Sequence, residues 1–380
     1  MQLVNDLSNR SGIYLDLLHL TDNQIIPVAR LDSDWPDQAD EKVNQAKGAL
    51  EDGRILGSPD GQFLAFPAAM GGSLNADVYL AQTASPDLIR LTHQSLNVQL
   101  MAWTPDSRQV IYSVSKGWDN LCYADTTVWS VSLDGKARKL YSAGCSMGEE
   151  VLGFTQNDQM VTNTLNPMGV SDRLHLRRVD LSTGQTKMIY TGYFIMAALD
   201  PVHGKVLFNA LTAGEYDYSK IDYDLVSVAN PEQVQKINID IETISNNISE
   251  MMHSITWLPE AGRFVVIEKS SLLVGPDGSI TPFPTEYSPP LDSPDGTRLV
   301  FNGGMDRAGF RVYDLTGKLL HEVTTPDPVG LFDWSHDGKG LFYFTMSNGA
   351  TLTLYYQDLS TDSPDLMVQG FPTGQMTFIH

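Results

Sequence analysis

A short turn motif recurs along the chain and constrains the fold more than any other feature. Its copies are Ser58-Pro59-Asp60-Gly61, Thr104-Pro105-Asp106-Ser107, Ser293-Pro294-Asp295-Gly296 and Ser335-His336-Asp337-Gly338. Proline presets φ for the first central position of a turn, and glycine accepts the positive φ that follows. Aromatic residues often precede these turns, as at Trp103, Phe154, Trp257 and Trp334. Internal self-similarity of this kind predicts a fold built from repeated units.

Short alternating apolar runs follow the turns and predict four strands in each unit. A variable loop separates the second strand from the third, and Asp-Gly or Thr-Gly turns lead to the fourth. The second strands of successive units are predicted to begin at Phe63, Gln109, Gln159, Lys205, Arg263, Arg298 and Gly340. Four short strands joined by hairpin turns form one blade of a β-propeller. We therefore predict an all-β fold, a single β-propeller domain over residues 1–380.

The two ends of the sequence predict one further blade. Gln2–Ser8, Ile13–Leu20 and Ile25–Leu31 fit second, third and fourth strands without a first, and Met376–Ile379 fits a lone first strand. If N- and C-terminal strands share this closing blade, the sheet has no open edge. We expect eight blades, with seven as the alternative if the terminal pieces do not join, or a piece of a longer repeat array. Residues 32–53 lack alternation and are expected to form an insertion between blades, with room for a short helix.

The SPDG turns, together with Ser8-Asn9-Arg10-Ser11-Gly12 before a predicted third strand, resemble the TolB-like (WD40-like, SPDG-repeat) propeller family. Similar repeats form the propeller domains of prolyl oligopeptidases and dipeptidyl peptidases. The resemblance covers essentially the whole chain and implies a propeller, but it implies no particular function because such repeats serve unrelated proteins. TolB-like propellers usually have six blades, and this chain has signals for more. The sequence contains no G-x-S-x-G nucleophile elbow, which argues against a serine peptidase.

Net charge limits the partners. The chain has 46 acidic and 25 basic residues, a formal net charge of −21. Such a field repels nucleic acid and anionic lipid, so neither is an expected partner. No apolar run approaches the roughly 18 residues of a membrane helix, so no membrane insertion is expected.

No motif in the sequence identifies a catalytic or metal-binding site. The histidines are scattered, without an H-x-H or H-E-x-x-H pair, at positions 19, 93, 175, 203, 253, 321, 336 and 380. Some oligogalacturonate lyases resemble this repeat type and use a histidine-rich metal site, and different blades can supply such ligands. Asp32-Ser33-Asp34-Trp35-Pro36-Asp37 has oxygen ligands suited to calcium but lacks the glycine and glutamate of an EF-hand loop. We expect no catalytic residues, metal or cofactor, and the sequence leaves enzyme activity undecided.

Long loops between second and third strands are the strongest functional signal. They are Ala68–Asp77, Lys116–Thr126 and Leu211–Asp222. The predicted binding residues in them are Trp118, Asp119, Tyr123, Glu215, Tyr216, Asp217 and Tyr218. Exposed aromatic residues among polar ones are typical of interface hot spots, although their rings can also fold back over the blade edges. The favoured hypothesis is a non-catalytic binding or scaffold propeller with a protein partner. The alternative is a carbohydrate-active enzyme, a polysaccharide lyase or glycoside hydrolase with an axial site.

Two cysteines bear on the compartment. Cys122 lies in one long loop and Cys145 in the link after the same blade, which places both on one face. A disulfide between them would indicate an oxidising compartment, and two free thiols are the alternative. The sequence begins MQLVNDLSNR, without a basic n-region and apolar h-region, so any leader is absent from it. Low lysine content and the TolB-like resemblance favour the periplasm or the cell exterior.

Overall fold

The computed structural model describes most of the chain, and within that part the fold is all-β. The described residues are 14–19, 24–30, 54–70, 76–93, 97–116, 118–119, 122–146, 148–164, 174–211, 221–239, 254–267, 271–284, 286, 288–303, 308–347, 351–361 and 363–372. They form seven antiparallel four-stranded blades, the repeating unit of a β-propeller, and the predicted fold class is confirmed. Among them, no helix has the length and hydropathy needed to span a membrane.

Strands pair in chain order within every blade, so strand 1 pairs with 2, 2 with 3 and 3 with 4. The N-terminal hairpin is β1 (Tyr14–His19) and β2 (Gln24–Arg30). Blade 1 contains β3 (Leu56–Gly57), β4 (Phe63–Ala68), β5 (Asp77–Gln82) and β6 (Ser85–Arg90). Blade 2 contains β7 (Asn97–Trp103), β8 (Gln109–Ser115), the extra strand β9 (Trp118–Asp119), β10 (Cys122–Ser132) and β11 (Ala137–Ser146). Blade 3 contains β12 (Glu149–Phe154), β13 (Gln159–Thr164), β14 (Leu174–Asp180) and β15 (Thr186–Gly192).

The remaining four blades follow the same order. Blade 4 contains β16 (Phe194–Asp200), β17 (Lys205–Leu211), β18 (Ile221–Ser227) and β19 (Val234–Ile237). Blade 5 contains β20 (Ser254–Leu258), β21 (Arg263–Ile267), β22 (Ser271–Val274) and β23 (Ile280–Phe283). Blade 6 contains β24 (Leu291–Asp292), β25 (Arg298–Asn302), β26 (Phe310–Asp314) and β27 (Leu319–Val323). Blade 7 contains β28 (Val329–Trp334), β29 (Gly340–Ser347), β30 (Thr351–Asp358) and β31 (Asp365–Pro372).

The predicted starts of the second strands are confirmed in all seven blades. They are the first residues of β4, β8, β13, β17, β21, β25 and β29. These strands are almost continuously buried, as the pattern of β4 shows. The agreement follows from the local turn chemistry, which fixes where a hairpin reverses.

Our expectation of eight blades is wrong, and seven, the alternative, is the blade count. The predicted third and fourth strands of the N-terminal piece do form, as β1 and β2. In the described residues they make a two-stranded hairpin, which is not a complete blade. Gln2–Ser8 and Met376–Ile379, the strands predicted to complete it, lie outside the described residues, as does the whole predicted insertion at 32–53.

The chain divides into two compact units. The N-terminal unit runs through residues 9–188 and holds blades 1 to 3, with its boundary inside β15. The C-terminal unit runs through residues 189–373 and holds blades 4 to 7. Each unit contains its own apolar clusters, and each cluster takes residues from two neighbouring blades.

Two of the tryptophans that precede turns, Trp103 and Trp334, join neighbouring blades. Trp103 ends β7, and its indole N–H donates to the carbonyl of Leu56 in blade 1 at 2.9 Å. Trp334 ends β28 and donates in the same way to Leu291 in blade 6, at 3.3 Å. A buried indole N–H needs such a partner, and here the partner is a first-strand carbonyl of the preceding blade. The aromatic residue before the turn is therefore a packing element.

The repeated turns are closed by their own hydroxyl and carboxylate groups. Ser58 Oγ donates to Asp60 Oδ1 at 2.6 Å and accepts the backbone N–H of Phe63 at 2.9 Å. The Ser293 hydroxyl holds the pKa of Asp295 at about 2, and the Lys339 backbone N–H does the same for Asp337. These turns are short, and local hydrogen bonds satisfy their polar groups. The edge of each blade that carries them therefore has similar turns from blade to blade.

Candidate functional site

The opposite edge of each blade carries the connection between strands 2 and 3, and these connections differ in length. In blades 1, 3 and 4 they span residues 69–76, 165–173 and 212–220. In blades 5 and 7 they span only 268–270 and 348–350. Because the blades otherwise share one design, this edge is where they vary most. We call it the loop edge.

Three of the predicted binding residues come together in one hairpin. Trp118 and Asp119 form β9, which pairs with the start of β10, so Trp118 is the register partner of Tyr123 and Asp119 that of Cys122. Strand pairing therefore places Trp118 directly opposite Tyr123, which their spacing in the sequence alone does not establish. Glu215, Tyr216, Asp217 and Tyr218 lie outside the described residues.

The base of this hairpin carries an exposed ion pair. Lys116 Nζ lies 2.5 Å from Asp125 Oδ2, with both side chains 65% exposed. The lysine holds the pKa of Asp125 below its ordinary value by a hydrogen bond and by its charge. Exposed ion pairs of this kind contribute little to the free energy of unfolding.

Beneath the first loop, a buried carboxylate ties two strands together. Asp77, the first residue of β5, accepts a hydrogen bond from Thr92 Oγ1 at 3.0 Å. Its other oxygen lies 2.5 Å from Arg90 Nη2, and the Asp77 side chain is 1% exposed. Thr92 Oγ1 also accepts the backbone N–H of Val78. The start of strand 3 and the end of strand 4 are therefore fixed together where the loop ends.

Blade 3 has a fully buried ion pair at the same edge. Glu149, the first residue of β12, lies 2.9 Å from Arg177 Nη1 and accepts the Tyr141 hydroxyl at 2.8 Å. Arg177 also donates to Thr164 Oγ1 at 3.0 Å, and its guanidinium lies 4.8 Å from the Tyr141 ring centre. The Tyr141 hydroxyl also lies 3.2 Å from Thr162 Oγ1. We call Tyr141, Glu149, Thr162, Thr164 and Arg177 the Glu149 cluster.

Burial dominates the electrostatics of the Glu149 cluster. The side chains of Glu149 and Arg177 are 0% and 4% exposed. Burial raises the pKa of Glu149, although the charge of Arg177 and the Tyr141 hydroxyl oppose the rise. Burial, and then the Glu149 charge, raise the pKa of Tyr141. The charged members of the cluster contact one another and not solvent. Thr164 and Arg177 lie on β13 and β14, so the cluster fixes the two strands that the connection 165–173 joins.

A related arrangement occurs in blade 6. Glu286 accepts hydrogen bonds from the Tyr313 hydroxyl and from Arg311 Nη1, the latter at 3.2 Å. Arg311 also lies 2.8 Å from Glu322 Oε1, on the neighbouring strand. The Glu286 backbone N–H donates to Ser271 Oγ at 3.1 Å. We call these five residues the Glu286 cluster.

Sequence reasoning missed these buried charges. A usable signal was present at Asp77, which begins β5 after the long connection 69–76, where a carboxylate has no tight turn to close. Arg90 and Arg177, the partners of Asp77 and Glu149, lie on different strands. Only the pairing of strands brings such residues together.

The disulfide between Cys122 and Cys145 stays a prediction. Tyr123 in β10 pairs with Ser146 in β11, so Cys122 and Cys145 are each adjacent to a residue of that pair. Their side chains lie outside the described part of the chain.

No metal site can be placed on the described residues, since no three His, Cys, Asp or Glu side chains come together among them. Asp32-Ser33-Asp34-Trp35-Pro36-Asp37, the segment with calcium-type ligands, lies outside that part of the chain.

The blades define a β-propeller. No protein-family model matches the chain, and no curated protein matches it by sequence. Membership of the TolB-like family therefore stays a prediction.

Solved structures do share the fold. An oligogalacturonate lyase in complex with manganese has a TM-score of 0.53 at 17% identity, over 80% of this chain and 88% of that one. A eukaryotic initiation factor has a TM-score of 0.56 at 12% identity, over 86% and 77%. Dipeptidyl peptidase 4 of Porphyromonas gingivalis has a TM-score of 0.56 at 11% identity, over 87% of this chain and 56% of that one. At these identities the likeness establishes a propeller fold shared by proteins of different function.

Proposed function

We propose that this protein is a non-catalytic binding propeller that recognises a protein partner through its loop edge. The observation that carries the proposal is the difference between the two edges of the blades. One edge consists of short turns closed by their own hydrogen bonds, and the other carries connections of very different lengths. Recognition residues are commonly held on variable loops that a rigid scaffold positions.

The second support is the rigid base under the loops. The Asp77–Arg90 pair, the Glu149 cluster and the Glu286 cluster each fix strand ends at the loop edge by buried, charge-assisted hydrogen bonds. Such bonds are stronger than neutral ones and hold their partners in defined positions. Loops mounted on fixed strand ends lose less conformational freedom when they bind.

The loop composition indicates the chemistry of the partner. Trp118 and Tyr123 lie in one hairpin with Asp119 between them, and the segment Glu215–Tyr218 has the same acidic and aromatic character. Aromatic anchors suit a buried interface core, and a net charge of −21 favours association with a basic surface. A protein partner with exposed basic side chains fits both features.

Cross-linking with mass spectrometry in native extract tests this function. We expect wild type to form reproducible cross-links between the loop edge and one defined protein, and Trp118→Ala/Tyr123→Ala to lose them. Lys318→Gln, in a turn on the other edge, is the matched control and should retain them. A partner captured equally by the loop variant, or a protein that stays an isolated monomer, contradicts the proposal.

We also propose that the protein acts in the periplasm or outside the cell, with Cys122 joined to Cys145. The pairing of β10 with β11 supports this because it brings the two backbone segments side by side. Peptide mapping without reductant should give one linked peptide pair that separates on reduction. Two peptides that react fully with a thiol reagent in the native compartment contradict it.

A second candidate function is a carbohydrate-active enzyme. The observation in its favour is that a protein named oligogalacturonate lyase shares the fold over most of both chains. A cleavage screen on acidic and neutral polysaccharides, with and without chelator, separates the two candidates. Turnover by the purified wild type would replace the binding proposal with this one.

A further inference from the structure

A cavity of about 490 Å³ lies on the edge opposite to the loop edge, in blades 4 and 5. Three turns line it: the strand 1–2 turns of both blades and the strand 3–4 turn of blade 5. Its volume falls in the range of small-molecule sites, roughly 300–1,000 Å³. The cavity does not involve the residues of the proposed function and is independent of it.

A buried carboxylate orients one lining side chain. Asp200 ends β16 with its side chain fully buried, and its Oδ2 lies 2.7 Å from His203 Nδ1. Its Oδ1 accepts the backbone N–H groups of Val202 and His203 at 2.9 and 3.0 Å. Because an ionised carboxylate only accepts, Nδ1 carries the hydrogen of this bond. His203 is therefore held in place with Nε2 remaining for a ligand, and its side chain is 55% exposed.

Two permanent cations line the same cavity. Lys205 Nζ donates to the carbonyl of Pro276 at 2.6 Å, which uses one of its three hydrogens. Arg263 opens β21 on the other side of the cavity. Among the described residues, neither cation has a carboxylate oxygen within 4.0 Å. In this acidic chain most other described cations, such as Arg90 and Lys236, are ion-paired.

Asp277, the carboxylate that lines the cavity, accepts hydrogen bonds from its own turn. Asp277 Oδ1 accepts the Ser279 hydroxyl at 2.6 Å and the Ser279 backbone N–H at 3.0 Å. These bonds, and to a lesser extent the charge of Arg263, hold the pKa of Asp277 below its ordinary value. Gly262 also lines the cavity, and its positive φ of +62° is a turn conformation that glycine adopts without strain.

We propose that this cavity binds a small oxyanion, a phosphate or carboxylate group, between Lys205, Arg263 and His203. Arginine supplies a planar pair of donors that matches either group, and lysine supplies a mobile charge. The oriented imidazole adds a third contact when both ring nitrogens carry hydrogen, because Nε2 then donates to the anion while Nδ1 donates to Asp200. The site is thus a binding site for an anionic small molecule on the edge that does not carry the long loops.

Equilibrium dialysis with radiolabelled inorganic phosphate and calorimetric titration with citrate test the site on the full chain. We expect one saturable site for at least one of the two anions, and which one binds identifies the anion class. Arg263→Gln should weaken binding by about tenfold, as the loss of one charge-assisted hydrogen bond predicts. Binding should protect the backbone of 200–205 and 274–279 from hydrogen exchange.

Lys318→Gln removes an equal charge from a turn in blade 6 that does not line the cavity, and it should bind like wild type. Should Arg263→Gln fail to fold, His203→Gln tests the same site from its other side. No saturable binding of either anion, or equal binding by wild type and both cavity variants, overturns the proposal.

Discussion

The Glu149 and Glu286 clusters use the same three residue types in different surroundings. Each joins a glutamate at the start of, or just before, a blade to an arginine in the third strand of that blade and to a tyrosine hydroxyl. In the Glu149 cluster the arginine is 4% exposed and the glutamate is its one acidic partner among the described residues. In the Glu286 cluster Arg311 is 18% exposed and is shared with Glu322, which is 51% exposed.

Solvent access accounts for the electrostatic difference. Burial raises the pKa of Glu149 despite the nearby arginine. The hydrogen bond to Glu322 is the first cause that raises the pKa of Arg311, ahead of its contact with Glu286. Burial, followed by the bond to Glu286, raises the pKa of Tyr313 to about 12. In a buried ion pair each charge therefore needs the other as its partner. Near solvent, water or a second charged residue can replace a partner that is lost.

The largest expected effect is that of Arg177→Met. It leaves the Glu149 carboxylate buried without a cation, and breaking a buried pair in this way costs about 3–5 kcal/mol. Chemical denaturation at neutral pH should show a much lower midpoint. A loss as small as that of an exposed control such as Lys187→Met would contradict the buried-pair description.

Adding Glu149→Gln to Arg177→Met should recover about half or more of that loss. The double variant has no buried charge at this position, and removing both partners of a buried pair is often nearly neutral. The same denaturation measurement gives the coupling free energy of the two residues. Additive losses would show that the two side chains do not act as a pair.

The loss of stability caused by Arg177→Met should also depend on pH. The folded-state pKa of Glu149 is raised, so this group's contribution to stability is greatest below the unfolded pKa and falls as pH rises through the folded pKa. Without Arg177 the folded pKa rises further, so the loss shrinks as pH falls towards about 4.3, the ordinary value for glutamate. Denaturation at neutral and mildly acidic pH measures this, with the double variant as the control that lacks the carboxyl. An equal loss at both pH values excludes Glu149 as the cause.

Arg311→Met should cost less, about 2 kcal/mol, the scale of a hydrogen bond to a charged group. Glu286 keeps the Tyr313 hydroxyl and its backbone bond to Ser271, and Glu322 can be solvated. Denaturation midpoints measured side by side with Arg177→Met test the comparison directly. If Arg311→Met is the more damaging change, solvent access does not explain the difference.

The two tyrosine hydroxyls should give the smallest effects. Tyr141→Phe and Tyr313→Phe each remove one hydrogen bond to a glutamate that keeps its arginine, which costs about 1 kcal/mol. We expect Tyr141→Phe to lose more stability than Tyr313→Phe, because no water reaches the buried site to replace the Tyr141 hydroxyl. Thermal unfolding of both variants decides the order, and equal losses would mean that burial does not separate the clusters at this level.

The sequence predicted the blade architecture and the starts of seven second strands because both depend on local signals. Pro-Asp-Gly turns and alternating apolar runs act within a few residues, and they repeat. The eighth blade was wrong because it depended on joining strands from opposite ends of the chain, which no local signal determines. Of the predicted site, Trp118, Asp119 and Tyr123 were brought into one hairpin, where neighbouring residues pair.

Only the tertiary structure decided which charges are buried and which are paired. Arg177 and Arg178 are adjacent in β14, yet only Arg177 belongs to the Glu149 cluster. Likewise, the proposed oxyanion cavity depends on turns from two blades, which bring Lys205 and Arg263 to the same cavity although 58 positions separate them in the sequence. Turn chemistry is local and can be read from the sequence. Which charged residues form ion pairs depends on distances between strands and between blades, and these distances are set only when the sheets have formed.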